Sequence, residues 1–313
     1  MPDIVVMFFL LGLVAGVVRS DLEIPKAAYD TLSLLLMLTI GLKGGMVLHG
    51  SLDASLLLEL IAVALLGALI PLAIMPLLKY VVRLNNADTA SIAAHYGSVS
   101  AGTFAVVLAY TETAQIAYDP QVTLYLVMLE LPAILVALAL FRKANPAANA
   151  GSSAALWHET FTNRGVILLV GGVCIGFMYG PQEGAAVTEL LTGAFKGVLA
   201  LFLLEMGLTA AETLRPIPWK KWKALLFALV APLVLAQLGI ALGLLLGLQA
   251  GSVLILATLA ASSSYIAAPA AIRAAIPDAN IGLAMLMSLG ITFPFNVIIG
   301  IPIYHQIIQL VIT

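Results

Sequence analysis

Ten apolar runs, near residues 4–18, 27–49, 54–82, 88–110, 121–141, 165–180, 185–210, 222–248, 252–272 and 281–311, leave this chain few folds. Most approach the roughly 20 residues that a helix needs to cross the hydrocarbon of a bilayer. Hydrophobic residues make up 62% of the 313 and charged residues 10%, too few charges to cover a water-soluble body of this size. The expectation is an all-α polytopic membrane protein. Cys174 stands alone in an apolar run, which excludes an internal disulfide and a cysteine-based metal site. The net charge of −2 comes with no basic patch for nucleic acid. No basic leader and small-residue cleavage site precede residues 4–18, so that run reads as a retained first span.

Charge placement supports the count of ten. With the N-terminus outside, the odd-numbered connections are cytoplasmic and hold twelve of the 14 Lys and Arg residues, and the even-numbered connections hold none. Lys43 and Lys196 are the exceptions, within or near spans. Both termini are then expected on the periplasmic side of a bacterial inner membrane. Trp219 and Trp222, interleaved with Lys220, Lys221 and Lys223, read as an interfacial anchor, and Trp157 as a second one.

The two halves echo one another. Gly41-Leu42 recurs 166 residues later as Gly207-Leu208, and the hydroxyl-rich stretch 95–103 lines up at that offset with 261–269. Five spans per half, an odd number, reverse the second half in the membrane. The predicted architecture is a 5+5 inverted repeat with interrupted helices in the fourth and ninth spans. Residues 1–142 form the first repeat, 143–163 a cytoplasmic linker and 164–313 the second repeat. Inverted halves with interrupted helices are the build of secondary transporters, so solute transport is the expected role.

The two interruptions hold the candidate site. Gly97, Ser98, Val99, Ser100, Gly102 and Thr103 in the first, with Ser264, Tyr265 and Ala268 in the second, are the candidate substrate-binding residues. Glycines give backbone freedom, hydroxyls cap a new helix, and Pro269 suits the first turn of the helix that follows. Two helix N-termini meeting near the midplane aim free N–H groups at one point, which favours a small anion. Tight packing of small residues is the competing reading for either stretch alone; the matched offset favours a site. Sodium is the natural companion ion, with Ser98, Ser100, Ser262 and Ser263 as oxygen ligands. Glu130 beside Pro132, and Asn296 beside Pro294 at the same offset, join that set; a structural role for Glu130 has equal claim. An ion pair of Glu205 with Lys196 or Lys43 is expected, Tyr96 and Tyr265 are expected to wall the site with bonded hydroxyls, and His95 reads as a satisfied buried group. No phosphate loop, nucleophile elbow or paired-aspartate motif points to an enzyme.

At Ile40-Gly41-Leu42-Lys43-Gly44-Gly45-Met46, Gly97-Ser98-Val99-Ser100, Glu130-Leu131-Pro132-Ala133, Ala260-Ala261-Ser262-Ser263-Ser264, Ala268-Pro269 and residues 272–280, the chain resembles the cyanobacterial sodium-dependent bicarbonate transporters. The resemblance runs over nearly all spans. It implies a homotrimer, a substrate-carrying core of spans 3–5 and 8–10, and a gate or scaffold of spans 1–2 and 6–7. Sodium and bicarbonate then bind around the crossing breaks, with elevator-like movement of the core and no cofactor beyond Na+. Tyr265 stands where the family pattern has an aspartate, which removes a charge for cation binding. The midpoint linker is much shorter than the family's, which argues against binding of its nucleotide-sensing regulator. The leading expectation is sodium:bicarbonate symport. The alternatives are sodium-coupled transport of another small carboxylate, or an anion channel.

Overall fold

The computed structural model describes residues 3–50, 54–145, 162 and 164–312. Among them every regular element is helical, as a backbone that has no water to bond must be. Helix α1 (Ile4–Val18) opens at Asp3, whose carboxylate accepts from Val5 N at 2.9 Å. It is followed by α2 (Lys26–Leu48) and by α3 (Ala54–Pro76), which runs on as a π-helical turn, Leu77–Val82. Next come α4 (Asn86–Gly97), α5 (Ala101–Thr113) and α6 (Val122–Ala144). The second half holds α7 (Arg164–Glu183), α8 (Ala185–Thr213), α9 (Trp222–Leu245), α10 (Ala250–Ala260) and α11 (Ala267–Ala275). Gly180 has φ 65°, so α7 bends where the apolar run 165–180 ends. The last helix, α12 (Ile281–Ile312), contains π-helical turns at Leu286–Thr292 and Asn296–Gly300, on either side of Pro294.

Among the described residues, six helical segments are long and apolar enough to cross a membrane: Ser55–Val82, Asn86–Thr113, Val122–Ala144, Val187–Thr213, Trp219–Leu245 and Ile281–Ile312. Ile4–Val18, Ile167–Glu183 and Ala250–Ala260 are apolar but shorter, and α2 carries Lys26, Asp30 and Lys43 among its apolar residues.

Glycine lets the helices approach closely. α1 lies along α8, where a Cβ on Gly12 would collide with Leu204 O and one on Gly207 with Phe9 O. α2 lies along α7, where Gly41 meets Leu169 O and Gly172 meets Leu38 O. Without a hydrophobic effect between lipid-borne helices, such backbone proximity is a main source of association. Elsewhere α3 packs on α4 and α6, and α9 packs on α10 and α12. α4, α5 and α10 are the innermost helices, buried along almost their whole length.

Asp88 ties three elements together at the start of α4. Its Oδ1 accepts from Asn280 N at 2.8 Å, and its Oδ2 accepts from Lys221 Nζ at 3.4 Å and Asn85 Nδ2 at 3.2 Å. The expected Glu205 ion pair does not form: Glu205 accepts from Thr209 one turn along its own helix, at 3.2 Å. Lys43 instead pairs with Glu112 at 2.7 Å, and Lys196 donates to Thr113 at 3.1 Å. Lys196 stands nine residues from Glu205 on α8, beyond side-chain reach along a helix rising 1.5 Å per residue. Trp219 and Trp222 are exposed as an anchor requires, and Trp157 lies outside the described residues.

Candidate functional site

Between α4 and α5 the chain leaves the helix at Ser98–Ser100, and between α10 and α11 at Ala261–Ile266. The local reasons are chemical. Ser100 Oγ accepts from Thr103 N at 3.0 Å and so caps α5, while Thr103 Oγ1 donates to the same oxygen at 2.9 Å. Ser264 Oγ accepts from Ala268 N at 3.2 Å in the first turn of α11, and Pro269 also falls in that turn, where its missing N–H costs nothing. The capping role read from the sequence is therefore observed at Ser100, while the N-cap position of α11 is Ile266 and Ser264 bonds into the first turn from two residues before it.

The two segments hold each other. Ser100 N donates to Ser262 Oγ at 3.0 Å, and Ser264 N donates to His95 O at 2.7 Å. Ser262 Oγ also donates to Leu259 O at 2.8 Å, so its hydroxyl acts as a cross-strut with one lone pair left. Asn296, fully buried, braces the second segment from α12: its Nδ2 donates to Ala261 O at 2.8 Å and its Oδ1 accepts from Tyr304 OH at 2.8 Å.

A small enclosed cavity of about 20 Å3 opens at this crossing, with Met37, Val99, Ser100, Glu130, Ser264 and Tyr265 among its lining residues. It has room for about one water-sized group. Glu130, 9% exposed, comes to it from α6 and Met37 from α2. The structure thus brings together candidates from three separated stretches of sequence. Ser98 Oγ and Ser263 Oγ are buried at the same crossing without a hydrogen-bond partner. Such orphans are costly in a protein interior and mark oxygens available to a ligand.

Other candidates serve the crossing from outside the cavity. Gly97 has no room for a Cβ, which would strike Pro71 and Ala133, so it seats the first segment between α3 and α6. Gly102 leaves space for the Tyr265 hydroxyl, which a Cβ there would strike. The Tyr265 ring stands edge-on to Phe293 at 5.4 Å, and its hydroxyl is buried without a hydrogen bond of normal geometry. The expectation of a bonded Tyr265 hydroxyl therefore fails, because its tip is lodged against the Gly102 backbone. Tyr96 does bond, but to Thr292 Oγ1 on α12 at 2.6 Å, and it is absent from the cavity lining.

Three orphans on the approaching helices escaped the sequence reading, Thr89 Oγ1, Ser91 Oγ and Thr258 Oγ1, and His95, read as satisfied, leaves its Nε2 without a partner. Ser91, His95 and Ser98 follow the i, i+4, i+7 spacing of one helical stripe, the signal that marks them as neighbours. His95 Nδ1 lies 2.7 Å from Ser91 O, which orients the ring. Among the described residues no group of three or more His, Cys, Asp or Glu side chains is arranged to hold a metal ion.

Long apolar helices around a buried, hydroxyl-lined crossing of two non-helical segments define a multi-pass membrane protein of the solute-transport class. Residues 4–309 match the family model of the Na+-dependent bicarbonate transporter superfamily, and the chain belongs to that superfamily. Among curated proteins, none matches the chain.

Proposed function

We propose that this protein is a sodium:bicarbonate symporter of the bacterial inner membrane, with its termini on the periplasmic side. The observation that carries this reading is the crossing itself: the two non-helical segments are joined by the Ser100–Ser262 hydrogen bond, and the second is bonded to the last turn of α4 by Ser264–His95, beside a cavity rimmed by hydroxyls. The N-termini of α5 and α11 supply backbone amides and positive dipole ends for an anion. Ser98 and Ser263, joined by Ser100, Ser262 and Glu130, supply oxygens for sodium; Asn296 holds the Ala261 carbonyl in position for it. Sodium neutralises the anion's charge, so each ligand raises the affinity for the other by the same factor.

The packing supports ten spans in two inverted halves. Numbering α4–α5 as span 4 and α10–α11 as span 9, a shift of five exchanges the α1–α8 contact with the α7–α2 contact. It likewise exchanges α3–α6 with α9–α12 and α3–α4 with α9–α10. Spans 1, 2, 6 and 7 form the glycine-seamed scaffold, and spans 3–5 and 8–10 form the moving core of an elevator within a homotrimer. A cavity of about 20 Å3 is smaller than the four heavy atoms of bicarbonate require, so substrate enters when core and scaffold separate. The short midpoint linker argues against the family's nucleotide-sensing regulator.

Leucine at Ser98 or at Ser264 is expected to abolish uptake while the purified protein keeps its thermal unfolding midpoint within a few degrees. Normal uptake by both variants would overturn this site. A second substrate class, a small organic carboxylate, is favoured by one observation: Tyr265 and Phe293 present an aromatic wall where the family pattern places an acid. Competition of bicarbonate uptake by acetate distinguishes the two.

A further inference from the structure

At the far end of the core from Glu112, a groove of about 550 Å3 lies between α3, α4 and α6. One part of its lining is apolar, with Leu72, Met75, Leu140 and Phe141, and the other is polar, with Lys79, Asn86 and Thr89. Lys79 Nζ donates to Asn86 Oδ1, a neutral acceptor, and Asn86 Nδ2 donates onward to Asn145 Oδ1 at 3.1 Å. No carboxylate lies within ion-pair distance of Lys79 among the described residues. The carboxylate nearest in sequence, Asp88, is committed to Asn280, Lys221 and Asn85. Thr89 is 3% exposed, and its Oγ1 has no hydrogen-bond partner although the residue lines the groove. The N-terminus of α4 opens here and adds its positive dipole end.

We propose that this groove is a binding site for an anionic glycerophospholipid, with the phosphate held by Lys79, Asn86 and Thr89 and an acyl chain lying along Leu72, Met75 and Phe141. The two halves of the lining require one ligand with both characters. A free phosphate would leave the apolar part uncovered, and a zwitterionic lipid would bring a choline cation beside Lys79. The site lies where Tyr80, exposed on the neighbouring turn, and the Trp219–Lys223 stretch mark a membrane interface. Lipid here would bear on α3, α4 and α6, the helices that carry the first crossing segment. The proposal is independent of the substrate and of sodium coupling, since it is read out by binding alone.

The test is native mass spectrometry of the detergent-purified protein with dioleoyl phosphatidylglycerol and dioleoyl phosphatidylcholine in competition. Wild type is expected to retain phosphatidylglycerol selectively, with millimolar inorganic phosphate failing to displace it. Lys79→Gln should weaken phosphatidylglycerol binding about five-fold, the effect of one basic side chain near an anionic headgroup. Thr89→Val, which keeps the side-chain shape, should weaken it by a smaller factor, and Lys26→Gln, at a remote exposed lysine, should leave it unchanged. Equal retention of the two lipids, displacement by phosphate, or wild-type selectivity in both Lys79→Gln and Thr89→Val would each overturn the proposal.

Discussion

Gly102 and Tyr265 meet across 163 residues of chain, and their fit sets the shape of the crossing. Gly102→Ala adds a Cβ where the buried tyrosine hydroxyl sits, so it is expected to cost about 1–3 kcal/mol, as overpacking does, and to suppress transport. Tyr265→Phe removes the atom in the way, so the double variant should recover most of the lost stability. Thermal unfolding of the three variants checks this, and a double variant no more stable than Gly102→Ala contradicts it. Nothing near either residue in sequence announces this contact, which is why the bonded hydroxyl expected for Tyr265 is not found. Ser100 and Pro269 were legible because capping and first-turn chemistry act within four residues. The Glu205 pairing was misread for the opposite reason: Lys43 finds its acid 69 positions away, on α5.

At the scale of elements, α2 and α8 are fastened to the end of α5. Lys43 bonds Glu112 and also lies 5.1 Å from the centre of the Phe195 ring, while Lys196 bonds Thr113. Tyr118 donates to Glu112 at 3.3 Å; burial, with the neighbouring Glu112 charge, pushes its phenol up to about 12, so it remains a donor at physiological pH. In the elevator proposed above, this latch joins scaffold to core and is released in each cycle. Lys43→Gln and Glu112→Gln, alone and together, should change the uptake rate non-additively, with a coupling of about 0.5–3 kcal/mol. Additive effects would mean the pair is incidental to movement. In the same proposal the Asp88 junction is a fixed tie within the core, since α4, α9 and α12 are all assigned to it. Asp88→Ala releases the 39% exposed Lys221 to solvent and leaves Asn280 N without its acceptor, so it should cost about 1–3 kcal/mol, the penalty of an unpaired buried donor; an unfolding midpoint within a degree of wild type would refute that. Element positions were legible to within a few residues, because most apolar runs become one helix, while the runs 88–110 and 252–272 each become two around a non-helical segment. The run at 281–311, for example, corresponds to Ile281–Ile312. Which helices touch was not legible, apart from the hint in Gly41 and Gly207, both of which meet a neighbouring helix backbone.

For the whole molecule, the account rests on two halves that cross at one buried point and on membership of a sodium-dependent bicarbonate transporter superfamily. The 166-residue offset behind the proposed repeat is legible because both stretches carry the same local chemistry at their non-helical segments. The departures from symmetry were less readable: Asn296, placed opposite Glu130 by that offset, spends its amide on Ala261 and Tyr304, whereas Glu130 lines the cavity. The central claim is that a sodium gradient drives a small anion through this crossing. Its most direct test is uptake of labelled bicarbonate into proteoliposomes at fixed pH, with an inward sodium gradient against a matched potassium control. The account predicts sodium-dependent accumulation above the passive carbon dioxide leak, lost in Ser264→Leu. Equal uptake in sodium and potassium by folded, oriented protein would contradict it.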